Sequence, residues 1–166
     1  MLETNLQKVY LLLGANLGNR EETLQKAISL LNEQIGPVSK QSHLYETAPW
    51  GKTDQPGFLN LALELTSEKT AQELLSLTQS IESQLGRVRH EKWGARLIDI
   101  DILYFGELIS NFDNLTLPHP FIQERRFVLV PLEEIAPEFI HPVFKKTTRE
   151  LLISCPDSSE VTKVLH

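Results

Sequence analysis

Apolar residues run unbroken from Val9 to Leu13 and close on Gly14, the pattern of a short buried strand. Asn16-Leu17-Gly18-Asn19 follows as a turn, after which the period changes to that of a helix: Leu24, Ala27, Ile28, Leu31 and Ile35 share one face. Asn19 is placed to cap this helix, Glu22 to complete a capping box, and Gly36-Pro37 to end it. Val38–Tyr45 alternates weakly and predicts a second strand. Thr47–Gly57 holds two prolines and two glycines with no period, so it reads as a long loop of the kind that often carries function. In Phe58–Leu65 the alternation is clear: Leu59, Leu61, Leu63 and Leu65 point one way, Phe58, Asn60, Ala62 and Glu64 the other. Thr70 and Glu73 form a capping box for a helix whose stripe is Leu74, Leu77, Thr78, Ile81 and Leu85, and Gly86 stops it. A polar loop, Arg87–Arg96, leads into the strand Ile98–Phe105, which Gly106-Glu107 is predicted to turn into a hairpin partner near Leu108–Ile109.

The predicted order is β-α-β-β-α-β. It implies an α+β chain of the ferredoxin-like type, an antiparallel sheet with two helices on one face. Beyond Ser110 lie six of the nine prolines and two predicted short helices, Phe127–Ile135 and Thr148–Ile153. Neither could hold a core alone, so they read as a C-terminal extension wrapped on a single domain, 1–166. At 166 residues the chain can bury a full core without staples, and a second catalytic domain is not expected.

Composition narrows the function. Sixteen basic against 22 acidic residues give a net charge of −6, a poor basis for nucleic-acid binding. A lone cysteine, Cys155, excludes an internal disulfide framework and reads as a small buried residue. The early apolar run is too short for a leader or a membrane span, so a cytoplasmic protein is expected.

Chemistry concentrates in Lys92-Trp93-Gly94-Ala95-Arg96-Leu97-Ile98-Asp99-Ile100-Asp101-Ile102-Leu103. Asp99 and Asp101 are two apart in a strand, so both carboxylates leave one face, about 7 Å apart along the chain. They are two acids on an exposed strand face, acids paired with arginine, or ligands of a hard cation such as magnesium, which takes one or two carboxylates plus substrate phosphates. Arg87, Arg89, Lys92 and Arg96 against Glu91 make the adjoining loop +3. That is a solvated loop or, facing an acid pair, one side of a metal–polyphosphate site, where arginine's planar fork suits phosphate. Gln79 and Glu82 share a helical face off the apolar stripe, an exposed face or a polar part of the site. Trp93 either stacks on a base or closes the loop. Phe58 and Asn60 share a strand face, and Phe127 follows Arg125 and Arg126; the rings are core residues or the walls of a slot for a flat molecule. A half-buried amide can pair with a heterocycle edge carrying a ring nitrogen and an amino group. His119, in Leu117-Pro118-His119-Pro120, suits a structural hydrogen bond. Neither the P-loop nor the dinucleotide fingerprint occurs, and the histidines lack zinc spacing.

Lys92-Trp93-Gly94-Ala95-Arg96, two residues, then Asp99-Ile100-Asp101-Ile102-Leu103 resembles the signature of the 6-hydroxymethyl-7,8-dihydropterin pyrophosphokinases. Further similar segments follow in the family's order: Gly14 to Gly18, Thr47 to Gly51, Asp54-Gln55-Pro56, Phe58, Asn60, Gly86-Arg87-Val88-Arg89, Leu117-Pro118-His119, Arg125 and Phe127. Together they span roughly Val9 to Pro142. The resemblance implies transfer of the β,γ-diphosphate of ATP to the hydroxymethyl group of a reduced pterin, leaving AMP, in folate synthesis. It implies two Mg2+ ions on Asp99 and Asp101, with Arg87 and Arg96 joining them in catalysis. The implied ATP contacts are Gln79, Glu82, Arg87, Arg89, Trp93, Arg96, Ile102, Thr116, His119 and Arg125. Thr47, Ala48, Trp50, Phe58, Asn60 and Phe127 are the implied pterin contacts, with no nucleic-acid or membrane partner and a monomeric chain. Departures from the family's frequent residues are Ala48, Trp50, Asn114, Pro120 and a loop between Arg89 and Trp93 that is one residue shorter than in some members.

Two other readings stand beside this one. A nucleotidyltransferase also uses a strand-borne acid pair, but its glycine turn lies close before the acids, whereas Gly18 and Asp99 are far apart. A non-enzymatic RNA- or ligand-binding module of the same fold is disfavoured by the net charge and the lack of an aromatic stacking motif.

Overall fold

The run around Leu11 becomes the central strand, β1 (Gln7–Ala15). The structure is a computed structural model and describes residues 6–47, 57–86, 97–112 and 114–164. β1 pairs antiparallel with both β4 (Phe58–Ser67) and β5 (Asp99–Phe105). β2 (Val38–Gln41) and β3 (Tyr45–Thr47) pair with β4, and β8 (Val161–Lys163) pairs with β3. The sheet therefore runs β5-β1-β4-β3-β8, with β2 also on β4. All of its pairings are antiparallel.

Strand alternation sends β1 side chains into two cores. Leu11 and Leu13 join Leu61, Leu63, Leu65, Ile100 and Ile102 under α1 (Arg20–Gln34) and α2 (Ala71–Gly86), which contribute Leu24, Leu31, Leu74 and Ile81. Tyr10 and Leu12 join Ala62, Leu103 and Tyr104 on the opposite face. There they meet Val128, Leu129 and Leu132 of α3 (Arg126–Ile135) and Leu151 of α4 (Thr148–Ile153). Both sequence-predicted C-terminal helices thus fold back on the sheet.

The predicted caps form with one change. Asn19 accepts the Glu22 backbone N–H at 3.1 Å, but the Glu22 carboxylate lies against Lys26 at 3.6 Å. Thr70 and Glu73 bond reciprocally, at 2.8 and 3.1 Å.

Three expectations need correction. The strand expected over Val38–Tyr45 breaks into β2 and β3, because buried Ser42 donates its N–H to Ala62 O and accepts the Ala62 N–H on Oγ. Leu108 and Ile109 are exposed and form no hairpin strand; Gly106, at φ +54, begins a turn. The pairing falls later, between β6 (Ser110–Phe112) and β7 (Leu115–Leu117), as a separate two-stranded sheet. Cys155 is half-buried at the edge of the second core rather than fully enclosed. β8 was not predicted. Among the described residues no helix is long and apolar enough to cross a membrane.

Candidate active site

Beyond the N-terminal end of α3, the sheet face carrying Leu12 and Gly14 lines a cavity of about 800 Å³. Leu12, Gly14, Asn60, Asp99 and Asp101 come to it from β1, β4 and β5. Thr47 and Phe58 line it from β3 and the start of β4. Phe121, Glu124, Arg125 and Phe127 come from the approach to α3 and its first turn, and Pro156 and Asp157 from beyond α4.

Strand register sets the spacing of the polar groups. Gly14 lies opposite Asn60 on one side and Asp99 on the other, and Leu12 lies opposite Asp101. The even spacing of Asp99 and Asp101 places both on the cavity side while Ile100 and Ile102 enter the helix-side core. Asn60 is 4% exposed, and its Nδ2 lies 3.5 Å from Thr47 Oγ1. A Cβ at Gly14 would lie 2.6 Å from Asn60 Oδ1, so the amide occupies room that only glycine leaves.

Glu82 reaches β5 from α2: its Oε2 accepts the Ile100 backbone N–H at 2.7 Å, midway between the two aspartates. Arg20 donates from Nη1 to Glu46 Oε2 at 2.8 Å and to Gly57 O at 2.7 Å, joining the two chain ends that flank residues 48–56. Arg125 sits between two rings, 4.8 Å from the centre of Phe121 and 5.8 Å from that of Phe127. His119 accepts the Phe121 N–H on Nδ1 at 3.2 Å, and its own N–H donates to Leu103 O at 2.9 Å. Burial, and then the Arg125 charge, push its pKa down to about 4. The ring is therefore neutral at pH 7 and carries its proton on Nε2.

Of the residues singled out in the sequence, the fold gathers Thr47, Phe58, Asn60, Asp99, Asp101, Arg125 and Phe127 around one cavity. Gln79 is exposed on α2, and Thr116 is exposed on β7 with its hydroxyl 3.3 Å from Asn111 Oδ1. Ile102 turns its side chain into the helix-side core. Ala48, Trp50, Arg87, Arg89, Trp93 and Arg96 lie outside the described residues, as do most of the two long loops. Sequence reasoning missed Leu12, Phe121, Glu124, Pro156 and Asp157. Leu12 was detectable from its phase with Gly14; the others are brought in by tertiary packing. Among the described residues no group of three or more His, Cys, Asp or Glu side chains could hold a metal ion, so the aspartates form a two-carboxylate set.

Residues 10–137 match the family model of the 7,8-dihydro-6-hydroxymethylpterin-pyrophosphokinases (HPPK). The chain is 44% identical over 161 residues to the 2-amino-4-hydroxy-6-hydroxymethyldihydropteridine pyrophosphokinase of Methylorubrum extorquens, covering 96% of this chain and 99% of that one. It is 46% identical over 127 residues to the Bacillus subtilis protein of the same name, covering 76% of each. In fold it is similar to the crystal structure of wild-type Plasmodium falciparum HPPK-DHPS, with a TM-score of 0.76 at 19% identity, over 92% of this chain. It spans 45% of that longer chain.

Proposed function

The chain belongs to the 7,8-dihydro-6-hydroxymethylpterin-pyrophosphokinase family, and on that premise we propose that its sheet-floored cavity is where a reduced pterin meets the triphosphate of ATP. The protein is a diphosphotransferase of folate biosynthesis, moving diphosphate from ATP to the hydroxymethyl group of 6-hydroxymethyl-7,8-dihydropterin. One observation carries the location: Asn60 and Asp99 stand on either side of Gly14 in register, with Phe58, Phe127 and Asp101 around the same cavity.

In this reading Asn60 pairs with the amino-pyrimidine edge, which suits an amide with donors and an acceptor. Phe58 and Phe127 flank the ring, and Thr47, with the backbones of Ala48 and Trp50, completes the slot. Asp99 and Asp101 fit magnesium: they are two hard oxygen donors facing a cavity, the number that ion takes when phosphates supply other ligands. When bound, two such ions would neutralise charge on the transferring group. Glu82 holds β5 between the aspartates and so fixes both.

Arg87, Arg89, Arg96 and Arg125 would clamp the phosphates, with Gln79, Trp93, Thr116 and His119 as further nucleotide contacts. The His119 Nε2–H is a donor at neutral pH, and Ile102 would act through its backbone. The chemistry is then positioning: the hydroxymethyl oxygen approaches the β-phosphorus in line with the departing AMP oxygen. The strand order supports the ferredoxin-like assignment, with β2 and β3 as one broken strand. A single 1–166 domain with a C-terminal extension, a monomer and a cytoplasmic setting complete the reading, with neither nucleic acid nor membrane as partner.

The test is a coupled AMP assay with 6-hydroxymethyl-7,8-dihydropterin and Mg-ATP. AMP matched by pterin diphosphate is the expected result; pyrophosphate release would point instead to nucleotidyl transfer. Asn60→Ala adds the location test: it should weaken pterin binding far more than ATP binding.

A further inference from the structure

The residue before α3 is Arg125, which has no acceptor to cap a helix and makes no side-chain cap bond. Its successor Arg126 adds a second cation at the positive end of the helix dipole, and the first turn contains no acid. The missing acceptor arrives from another part of the chain. Asp157 Oδ2 accepts the Arg126 N–H at 3.0 Å, and Ser159 O accepts from Arg126 Nε at 3.1 Å. Asp157 Oδ1 is in turn held by the Ser159 N–H at 2.9 Å and by the Ser159 hydroxyl.

A few residues on, the same segment becomes β8, pairing Val161 with Thr47 and Lys163 with Tyr45, while the Val164 N–H donates to Leu44 O at 2.8 Å. One stretch of chain is thus bonded to both sides of the cavity: the helix start that carries Arg125 and Phe127, and the strand that ends at Thr47. Pro156 and Asp157 also line the cavity between them. This segment lies outside the 10–137 stretch matched by the family model.

We propose that residues 156–164 act as a strap that sets the separation of the two cavity walls, with Asp157 as the positioning residue that caps α3 from outside and so holds Phe127 against the pterin. The inference rests on the pterin reading of the cavity. By supplying the cap from position 157, the fold leaves position 125 for a cation facing the site; a Ser or Asp cap at 125 would remove that charge.

The experiment compares Asp157→Ala, Asp157→Asn and Thr147→Ala. Thr147 caps α4 with a full capping box at the end away from the strap and lines no part of the cavity, so its loss tests loss of stability alone. Pterin binding in the presence of a non-hydrolysable ATP analogue, and steady-state kinetics, are measured well below each variant's melting temperature. Asp157→Ala should raise the pterin Kd and KM roughly tenfold with a smaller change in kcat, while Asp157→Asn, whose single amide oxygen can serve the Arg126 N–H only by giving up the Ser159 N–H, should fall between it and wild type. Thr147→Ala should leave the pterin KM unchanged. An Asp157→Ala protein with wild-type pterin affinity overturns the strap, as does a Thr147→Ala protein weakened to the same degree. Failure of the wild-type protein itself to bind the pterin would instead overturn the functional reading beneath it.

Discussion

Asn60 Oδ1 sits 2.6 Å from the point where a side chain at Gly14 would begin. Two strands therefore share one small volume, and the amide proposed to read the pterin is seated by what its neighbour lacks. Gly14→Ala should push the amide out of place without disturbing the buried leucines on the other face. We expect the pterin KM to rise about tenfold, ~1.4 kcal/mol, with ATP affinity within about twofold of wild type. Equal losses for both substrates would show general damage to the sheet.

Asp101→Ala removes one of two carboxylates from a half-exposed strand position opposite Leu12. Turnover is expected to fall at least 10³-fold, about 4 kcal/mol of transition-state stabilisation, while the melting temperature stays within a few degrees. Wild-type rates in this variant would sink the metal assignment.

Glu134 on α3 accepts the Tyr45 hydroxyl at 2.6 Å, the His43 N–H at 3.0 Å and the His43 ring at 2.6 Å, pinning the helix to the β2–β3 break. Burial pulls its carboxyl pKa upward, but the Tyr45 and His43 bonds outweigh that and hold it below the usual glutamate value. Glu134→Ala should cost about 2 kcal/mol, read as a fall of several degrees in thermal melting, and Tyr45→Phe about 1 kcal/mol.

Two histidines should make the fold lose stability in mild acid. Burial drives both His119 and His141 down to about 4, and His141 Nδ1 accepts the N–H groups of Val143 and Phe144, both at 3.1 Å. Between the ordinary value near 6.5 and about 4, the unfolded chain binds more protons, so stability rises with pH there. Their contribution is complete above about pH 6.5 and lost as pH falls toward 4, on the order of 2–3 kcal/mol for each ring. Urea midpoints measured from pH 7 to 4.5 should fall accordingly, and His141→Asn should flatten the slope. A midpoint constant over that range would contradict the assignment.

The sequence made much of this legible because the main strands and helices each bury one face. Leu59, Leu61, Leu63 and Leu65 gave β4 its phase, and that phase put Asn60 on the cavity side. The same logic placed Asp99 and Asp101. What stayed hidden was set by bonds between distant segments. The break at Ser42 depends on Ala62 across the sheet, and β8 is a three-residue edge strand with no apolar pattern to announce it. Asp157 gives no local sign of serving Arg126, because a cap supplied from 31 residues away has no sequence spacing to read.

The cross-strand pairing of Gly14 with both Asn60 and Asp99 amounts to a ruler. Two interstrand steps, about 9.6 Å in all, separate the backbone that presents the Asn60 amide from the backbone that presents the Asp99 carboxylate. Hydrogen-bonded main chain sets that distance, so in the proposed site repacking the cavity walls would alter which molecule is held but not how far it stands from the aspartates. Variants selected for new acceptors should accordingly favour molecules that keep the length from recognised edge to hydroxyl, while a one-residue slip of β1 would turn Leu13 toward the cavity and end the function outright.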